Sequence, residues 1–227
     1  VHGLLRLEGM DPAGIRRAVV CSVVPELTEP VQGLCRKLFG LEALVVGPGI
    51  HTGMAVAYRP PSSLGPDRLV DALAARAAFG SPVITVDFGT ATTFNVVDAA
   101  GCFIGGAIAP GLGIAAQALA DAGARLTRIA LPAGTAATLG VGRNTEQGMR
   151  AGLLLGFGGL TRGLLARLEA ELGMQGAPRP TVVATGGLVY HIAPLVPRID
   201  HVLPDLILDG MRLIATLNPR PTPSPRP

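Results

Sequence analysis

The sequence predicts an α/β protein. Short runs rich in Val, Ile and Thr, such as residues 18–24 and 83–87, are typical of buried strands. Longer segments such as residues 143–173 carry apolar side chains at helical spacing, and Gly and Pro cluster between the segments. Hydrophobic residues make up 48% of the 227-residue chain and charged residues only 15%. This balance excludes disorder for most of the chain, and the length allows one large domain or two small lobes.

The first part of the chain alternates between strand and helix patterns. A β-branched run at 18–24 predicts a strand, and a helix is expected from about 27 to 39. A second strand at 43–46 is followed by a loop rich in Pro and Gly. Residues 64–67 are predicted to open the next helix, which runs through residue 79. Pro66 falls near its first position, where the N–H that proline lacks would be unbonded anyway.

The rest of the chain predicts a β-meander, two helices, a strand and a final helix. Tight turns at 88–90 and 98–101 join the strands of the meander. Residues 219–227 are rich in Pro and lack an apolar pattern, so this tail is expected to be disordered. The predicted strands are 83–87, 92–97, 102–108 and 182–184, and the predicted helices are about 113–122, 143–173 and 207–217.

Missing motifs exclude several enzyme classes. Lys37 is the only lysine, and no Gly-Lys-Ser or Gly-Lys-Thr occurs, so the chain has no Walker-type phosphate loop. It also lacks the Gly-x-Ser-x-Gly elbow, the His-Glu-x-x-His motif and a Gly-x-Gly-x-x-Gly that follows a strand and opens a helix. The four His are dispersed along the chain, which favours surface or capping roles over metal binding.

Net charge, cysteine content and hydropathy limit the binding partners and the cellular compartment that the sequence predicts. The net charge is only +3, the Arg residues are scattered and aromatic residues are few, so nucleic acid is not an expected partner. Three cysteines at unrelated spacings fit neither a disulfide framework nor a zinc cluster, which indicates reduced thiols in a cytoplasmic protein. The uncharged run 99–120 could span a membrane by length, but its central Gly and Pro residues would break such a helix, so no membrane partner is expected.

Residues 86–93 form the strongest candidate site. In Asp87-Phe88-Gly89-Thr90 the glycine lets backbone N–H groups approach an anion, the Thr hydroxyl adds a neutral donor, and the Asp can hold a cation. These features are typical of a phosphate-binding turn that needs no lysine. A plain glycine turn flanked by strand-forming threonines explains the same residues equally well.

Two other segments are weaker candidates. Residues 185–187, Thr-Gly-Gly, follow a predicted strand and could lie flat against a nucleoside, although such glycine pairs usually only turn the chain. In residues 65–68, Gly-Pro-Asp-Arg, Asp67 could accept a proton from an attacking hydroxyl, and Arg68 could bind a carboxylate or phosphate. Helix capping by Asp67 and a solvated Arg68 are the simpler alternative.

Together these segments resemble one family, the type III pantothenate kinases of the acetate and sugar kinase, actin-like ATPase superfamily. The resemblance runs in order from about residue 18 to residue 218, and seven matches in register are far more specific than any one of them. The matching segments are Ser-Val-Val-Pro at 22–25, Gly-Pro-Gly-Ile-His-Thr-Gly at 47–53, Gly-Pro-Asp-Arg at 65–68, Asp-Phe-Gly-Thr-Ala-Thr-Thr at 87–93, Gly-Gly-Ala-Ile-Ala-Pro-Gly at 105–111, Gly-Arg-Asn-Thr at 142–145 and Ala-Thr-Gly-Gly at 184–187.

The resemblance implies a ribonuclease-H-like α/β fold with two lobes, residues 1–80 and 81–218, and ATP bound between them. It also implies a homodimer that completes the pantothenate pocket. The implied reaction transfers the γ-phosphoryl group of ATP to the primary hydroxyl of pantothenate, which yields 4'-phosphopantothenate in the first step of coenzyme A biosynthesis.

The resemblance also implies a role for each candidate residue. Asp67 corresponds to the proton acceptor, Asp87 to the ligand of an activating monovalent cation such as potassium or ammonium, and magnesium accompanies ATP. The positions that correspond to pantothenate-binding residues are Tyr58, Gly65, Pro66, Arg68 and Thr145. The positions expected to contact ATP are Gly89, Thr90, Thr185, Gly186 and Gly187.

Three departures from the family pattern modify these expectations. Pro66 replaces a usual Ala, and Asn95 replaces the Asp that commonly follows Thr-Thr-Phe; both are mild. The family's opening Asp-x-Gly-Asn-Thr phosphate turn has no counterpart, so the first lobe is expected to be truncated and the kinase activity weak or absent. Two alternatives follow: a non-catalytic, pantothenate-binding or regulatory family member, and a kinase for a different small alcohol.

Overall fold

The computed structural model describes residues 1–123, 129–131, 140–174 and 176–219, and the predicted tail falls outside these ranges from residue 220 onward. The described residues form a mixed α/β structure, which confirms the predicted fold class. The strands are β1 (Val19–Val20), β2 (Leu44–Val45), β3 (Val83–Phe88), β4 (Ala91–Val97), β5 (Phe103–Pro110), β6 (Thr181–Thr185) and β7 (His201–Val202). The helices are α1 (His2–Leu7), α2 (Pro25–Phe39), α3 (Pro66–Phe79), α4 (Leu112–Ala122), α5 (Thr145–Met174), α6 (Val189–Ile192) and α7 (Leu206–Leu217).

In the described part of the chain, the main sheet has the strand order β5-β4-β3-β6-β7. β3, β4 and β5 form the predicted antiparallel meander, whereas β6 runs parallel to both β3 and β7. A separate parallel pair joins β1 to β2. Because β3 and β6 are parallel, their carboxyl ends meet at one edge of the sheet, where Asp87 is the register partner of Thr185.

Side chains of β3 alternate between two hydrophobic cores. Ile84 and Val86 contact the core that α4, α5 and α6 cover, and Val83 belongs to the core beneath α3 and α7. Since successive side chains point to opposite faces of a strand, Thr85 and Asp87 lie on the α3 and α7 face. The polar side chains of the central strand therefore face the helix that carries Asp67 and Arg68.

Helix α3 is fixed firmly against the sheet and against α7. It begins at Pro66, within the predicted opening segment 64–67, and its buried residues include Val70, Leu73 and Ala75. Helix α7 approaches so closely that a Cβ on Gly210 would lie 2.4 Å from the carbonyl oxygen of Val70. Such close packing leaves α3 little freedom to shift, so the position of its first turn is well defined.

Several element boundaries differ from those predicted. β1 covers only two residues of the predicted strand 18–24, because β2, its one described partner, is equally short. The next helix begins at Pro25 rather than near residue 27, since proline is suited to the first turn. Helix α6 and strand β7 were not predicted, because segments of four and two residues are too short to show a period.

The run 99–120 forms strand β5 and helix α4 instead of one continuous helix. None of the described helices combines the length and the apolar character that crossing a membrane requires. The boundary after residue 80 and the truncation of the first lobe stay predictions.

Candidate active site

The two predicted glycine turns meet at the carboxyl ends of β3 and β6, with the Asp87 side chain between them. A Cβ on Gly186 would lie 2.2 Å from Asp87 Oδ1, and a Cβ on Gly89 would lie 3.2 Å from Asp87 Oδ2. Gly186 has a φ of +97°, a conformation that L residues rarely adopt. The backbone N–H of Leu188 donates to the carbonyl of Phe88 at 3.1 Å and so ties the second turn to the first.

These turns leave part of their backbone accessible. Thr90 and Gly187 are exposed, and Gly89 and Gly186 are partly exposed, so a ligand can approach both turns. Thr185 differs from them, because its side chain is buried and its hydroxyl donates to the carbonyl of Pro204 at 3.3 Å. The Thr185 hydroxyl is therefore used in an internal hydrogen bond, while the backbone of the two turns remains accessible.

The first turn of α3 holds the carboxylate of Asp67. Asp67 Oδ1 accepts a hydrogen bond from the backbone N–H of Arg68 at 2.8 Å, as expected of an acidic residue at a helix start. This carboxylate folds back over Gly65, where a Cβ would lie 2.5 Å from the same oxygen. The side chain remains half-buried, so Asp67 is both fixed in place and reachable.

Three aspartates share one region between α3 and β3. Asp71, one turn after Asp67, is only 2% exposed, and burial first, then the charges of Asp87 and Asp67, raise its pKa to about 8. Burial and the charge of Asp67 raise the pKa of Asp87 to about 6. Burial, Asp67 and Asp71 also raise the pKa of the Cys21 thiol to about 12. The charge of Asp67 therefore acts on Asp87, although the two residues lie 20 positions apart in the sequence.

Arg68 is buried, so the alternative of a solvated side chain is wrong. Its Nε donates to Asn95 Oδ1 at 2.7 Å, and its two terminal nitrogens donate to the Tyr58 hydroxyl at 3.3 Å and the Phe94 carbonyl at 3.4 Å. Asn95 in turn donates to the Thr85 hydroxyl at 3.0 Å. All these acceptors are neutral, so the guanidinium is held rigidly, and no carboxylate of the described residues forms an ion pair with it.

Thr145 does not join the other predicted substrate residues. It begins α5, whose buried side chains pack on the face of the sheet opposite to α3. Among the residues that the structure describes, no hydrogen bond links Thr145 to Tyr58, Arg68 or Asp67. The structure thus brings together Tyr58, Gly65, Pro66 and Arg68, whereas the helix that Thr145 begins packs on the other face of the sheet.

Asp71 was not among the predicted site residues. A signal was present, because Asp71 follows Asp67 by four residues and so lies on the same face of the helix. Asn95 was expected to be only a mild departure from the family pattern. Its side chain is buried, and it accepts a hydrogen bond from Arg68 of α3 and donates one to Thr85 of β3.

Two further observations concern the described residues away from the candidate site. A cavity of about 380 Å³ next to Arg6, Asp11 and Arg16 contains none of the predicted site residues. Within the described ranges, no group of three or more His, Cys, Asp or Glu side chains is placed to hold a metal ion.

Glycine turns at the ends of parallel strands, next to a helix-borne carboxylate, define an α/β phosphotransferase that acts on a small molecule. The comparison with known families agrees with this class. The family model of type III pantothenate kinase matches residues 1–167. The chain belongs to the type III pantothenate kinase family.

Individual relatives support the same assignment. A type III pantothenate kinase of Acidiphilium cryptum is 44% identical over 223 residues, which cover 98% of this chain and 81% of the relative. That of Moorella thermoacetica is 41% identical over 215 residues, covering 95% of this chain and 82% of the relative. A crystal structure from Campylobacter jejuni, described as a Baf family transcriptional activator, has a TM-score of 0.54 at 18% identity over 94% of this chain and 87% of that one, and shows likeness of fold alone.

The family resemblance in the sequence is therefore confirmed. The expectation of weak or absent activity finds no support in these comparisons, since the relatives named as kinases align with nearly the whole chain. The non-catalytic alternative is not favoured for the same reason.

Proposed function

We propose that this chain transfers the γ-phosphoryl group of ATP to the primary hydroxyl of pantothenate, which yields 4'-phosphopantothenate in the first step of coenzyme A biosynthesis. Membership of the type III pantothenate kinase family carries this proposal. The placement of Asp67 near Asp87 and the two glycine turns supports it, because a hydroxyl and a phosphate must meet between such groups. We assign the protein to the cytoplasm, where this metabolic step uses ATP.

Asp67 would orient the pantothenate hydroxyl and accept its proton. Its carboxylate is half-buried and lies in the first turn of α3, where the helix dipole favours the anion. In a loose phosphoryl-transfer transition state little negative charge is needed on the attacking oxygen, so a carboxylate suffices as the acceptor.

The two glycine turns would hold the phosphates of ATP. Gly89, Thr90, Gly186 and Gly187 offer partly or fully exposed backbone, and Thr185 shapes the second turn. Magnesium, which would be held mainly by the phosphates themselves, supplies positive charge to the transferring group. Asp87 is the proposed ligand of a monovalent cation such as potassium or ammonium.

The anionic end of pantothenate would bind near Arg68. This guanidinium is buried, has only neutral acceptors and is stacked 5.4 Å from the centre of the Tyr58 ring, so a substrate carboxylate would supply its missing counter-charge. Gly65 and Pro66 would line the same pocket. Because the helix that begins at Thr145 packs on the other face of the sheet from α3, we propose that a second copy of the chain contributes Thr145, in a homodimer.

We further propose two lobes of ribonuclease-H-like topology, residues 1–80 and 81–218, with ATP between them. The observed antiparallel meander flanked by parallel strands supports this topology for the main sheet.

The purified chain should phosphorylate pantothenate in the presence of ATP and magnesium. The measurement is ADP release that depends on pantothenate, with the phosphorylated product identified by mass spectrometry. Omission of pantothenate is the control for ATP hydrolysis. If calorimetry shows pantothenate binding while no product forms, the chain is a binding module and the proposed reaction is wrong.

Replacing Arg68 should weaken pantothenate binding more than catalysis. Arg68→Lys keeps the charge but cannot bond Asn95, Tyr58 and Phe94 at once, so we expect the KM for pantothenate to rise about 10-fold. The kcat should change less. Arg76→Lys, on the same helix but bonded to the carbonyl of Gly53, is the matched control and should keep the original KM. An unchanged KM in Arg68→Lys would remove Arg68 from the pantothenate pocket.

A further inference from the structure

Oδ1 of Asp71 is a buried polar atom that has no hydrogen-bond partner among the described residues. The residue is 2% exposed, and this oxygen has no solvent contact. An unpartnered carboxyl oxygen in the interior is costly, and such atoms are rare in folded proteins. A group from outside the described residues is therefore expected to satisfy it.

The groups whose charges raise the pKa of Asp71 are both carboxylates. Asp67 lies one turn earlier on α3, Asp87 faces it from β3, and the Cys21 thiol is the neighbour from the segment after β1. None of the ion pairs between described residues includes any of these three aspartates. Arg68, on the same helix, directs its donors to Asn95, Tyr58 and Phe94 instead. The region thus carries a surplus of negative charge next to an oxygen that lacks a donor.

We propose that Asp71 is a second cation ligand, which together with Asp87 holds one weakly hydrated monovalent cation, of the potassium or ammonium class, between α3 and β3. The inference deepens the cation role proposed for Asp87 and rests on it. With the cation bound, the orphaned oxygen gains a partner and the repulsion between the two carboxylates is offset.

The donors and their burial favour a monovalent ion over magnesium. Carboxylate oxygens are hard ligands that suit either kind of ion. Magnesium retains several of its waters and demands octahedral geometry, which an oxygen without solvent contact does not accommodate. Two carboxylates rather than three face the proposed ion, since the described residues contain no larger ligand group.

The test is the thermal stability of the chain without ATP or pantothenate, at about pH 8, in potassium chloride and in choline chloride of equal ionic strength. Choline is too large for a buried site, so its salt controls for screening. We expect potassium to raise the Tm of the original chain by about 3–5 °C and to have no such effect on Asp71→Asn. Asp209→Asn makes the same change at an exposed position of α7 and should retain the full rise.

The variant is expected to fold, because Asp71→Asn removes buried charge and keeps the shape of the side chain. Asp71→Ser provides a second variant in case it does not. A potassium-specific rise that persists in either folded variant, or that is missing from the original chain, would overturn the proposal. The measurement needs no phosphoryl transfer, so it can fail independently of the proposed function. An active kinase without the potassium-dependent rise in Tm would refute only this inference. An inactive chain that shows the rise in Tm would refute only the proposed function.

Discussion

Asp67→Asn is expected to lower kcat by about 10²- to 10⁴-fold, the usual effect of removing a general base. The amide has almost the shape of the carboxylate and its oxygen can still accept the N–H of Arg68, but it cannot take the proton of the attacking hydroxyl. The KM values for ATP and pantothenate should therefore change only a few-fold. Steady-state kinetics with the purified variant separates these effects.

Asp98→Asn is the matched control for this substitution. Asp98 Oδ1 also accepts a backbone N–H, from Cys102 at 2.9 Å in the turn before β5, so the chemical change is the same away from the site. The control should keep the original kcat. Ordinary turnover by Asp67→Asn would show that another group accepts the proton.

Gly186→Ala is expected to disrupt the ATP site. The new Cβ would lie 2.2 Å from Asp87 Oδ1 and 2.7 Å from the backbone of Phe88, distances at which the carboxylate or the turn must shift. The φ of +97° adds strain of about 1–2 kcal/mol for any side chain. We expect a lower Tm and an ATP affinity reduced at least about 10-fold, because both turns depend on the position of Asp87.

Gly187→Ala separates this effect from a general intolerance of side chains in the turn. No heavy atom lies within 4 Å of the position of its Cβ, and its φ lies outside the left-handed region. Calorimetric titration with ATP and thermal unfolding of both variants give the comparison. Equal ATP binding by the two variants would contradict a role for the close contact between Gly186 and Asp87.

Local sequence patterns were sufficient to predict the helices and strands whose apolar residues recur with a clear period or whose first residues are typical of a helix start. The meander followed from β-branched runs separated by glycine turns, and helix α3 followed from Pro66 and the apolar residues after it. The short elements α6 and β7 were missed, because they are stabilised by neighbours distant in sequence and show no period of their own.

The individual segments of the candidate site could be predicted from the sequence, but their arrangement in space could not. Asp67, Asp87 and the Thr-Gly-Gly turn could each be singled out by residue type, yet Asp71 resembled any polar residue in a helix. Its burial and its unpartnered oxygen depend on β3 lying beneath α3. The separation of Thr145 from Arg68 likewise depends on which face of the sheet each helix covers.

The α/β class, the glycine turns and the proton-accepting candidate follow from the amino-acid order, because they depend on residue types at short spacing, and the family follows from seven segments in register. The burial of Arg68 against neutral acceptors, the position of Asp87 between two turns and the clustering of Asp67, Asp71 and Asp87 became evident only from the folded chain. Burial and electrostatic repulsion arise between groups that parallel strand pairing and helix packing bring together, and no local pattern records those contacts.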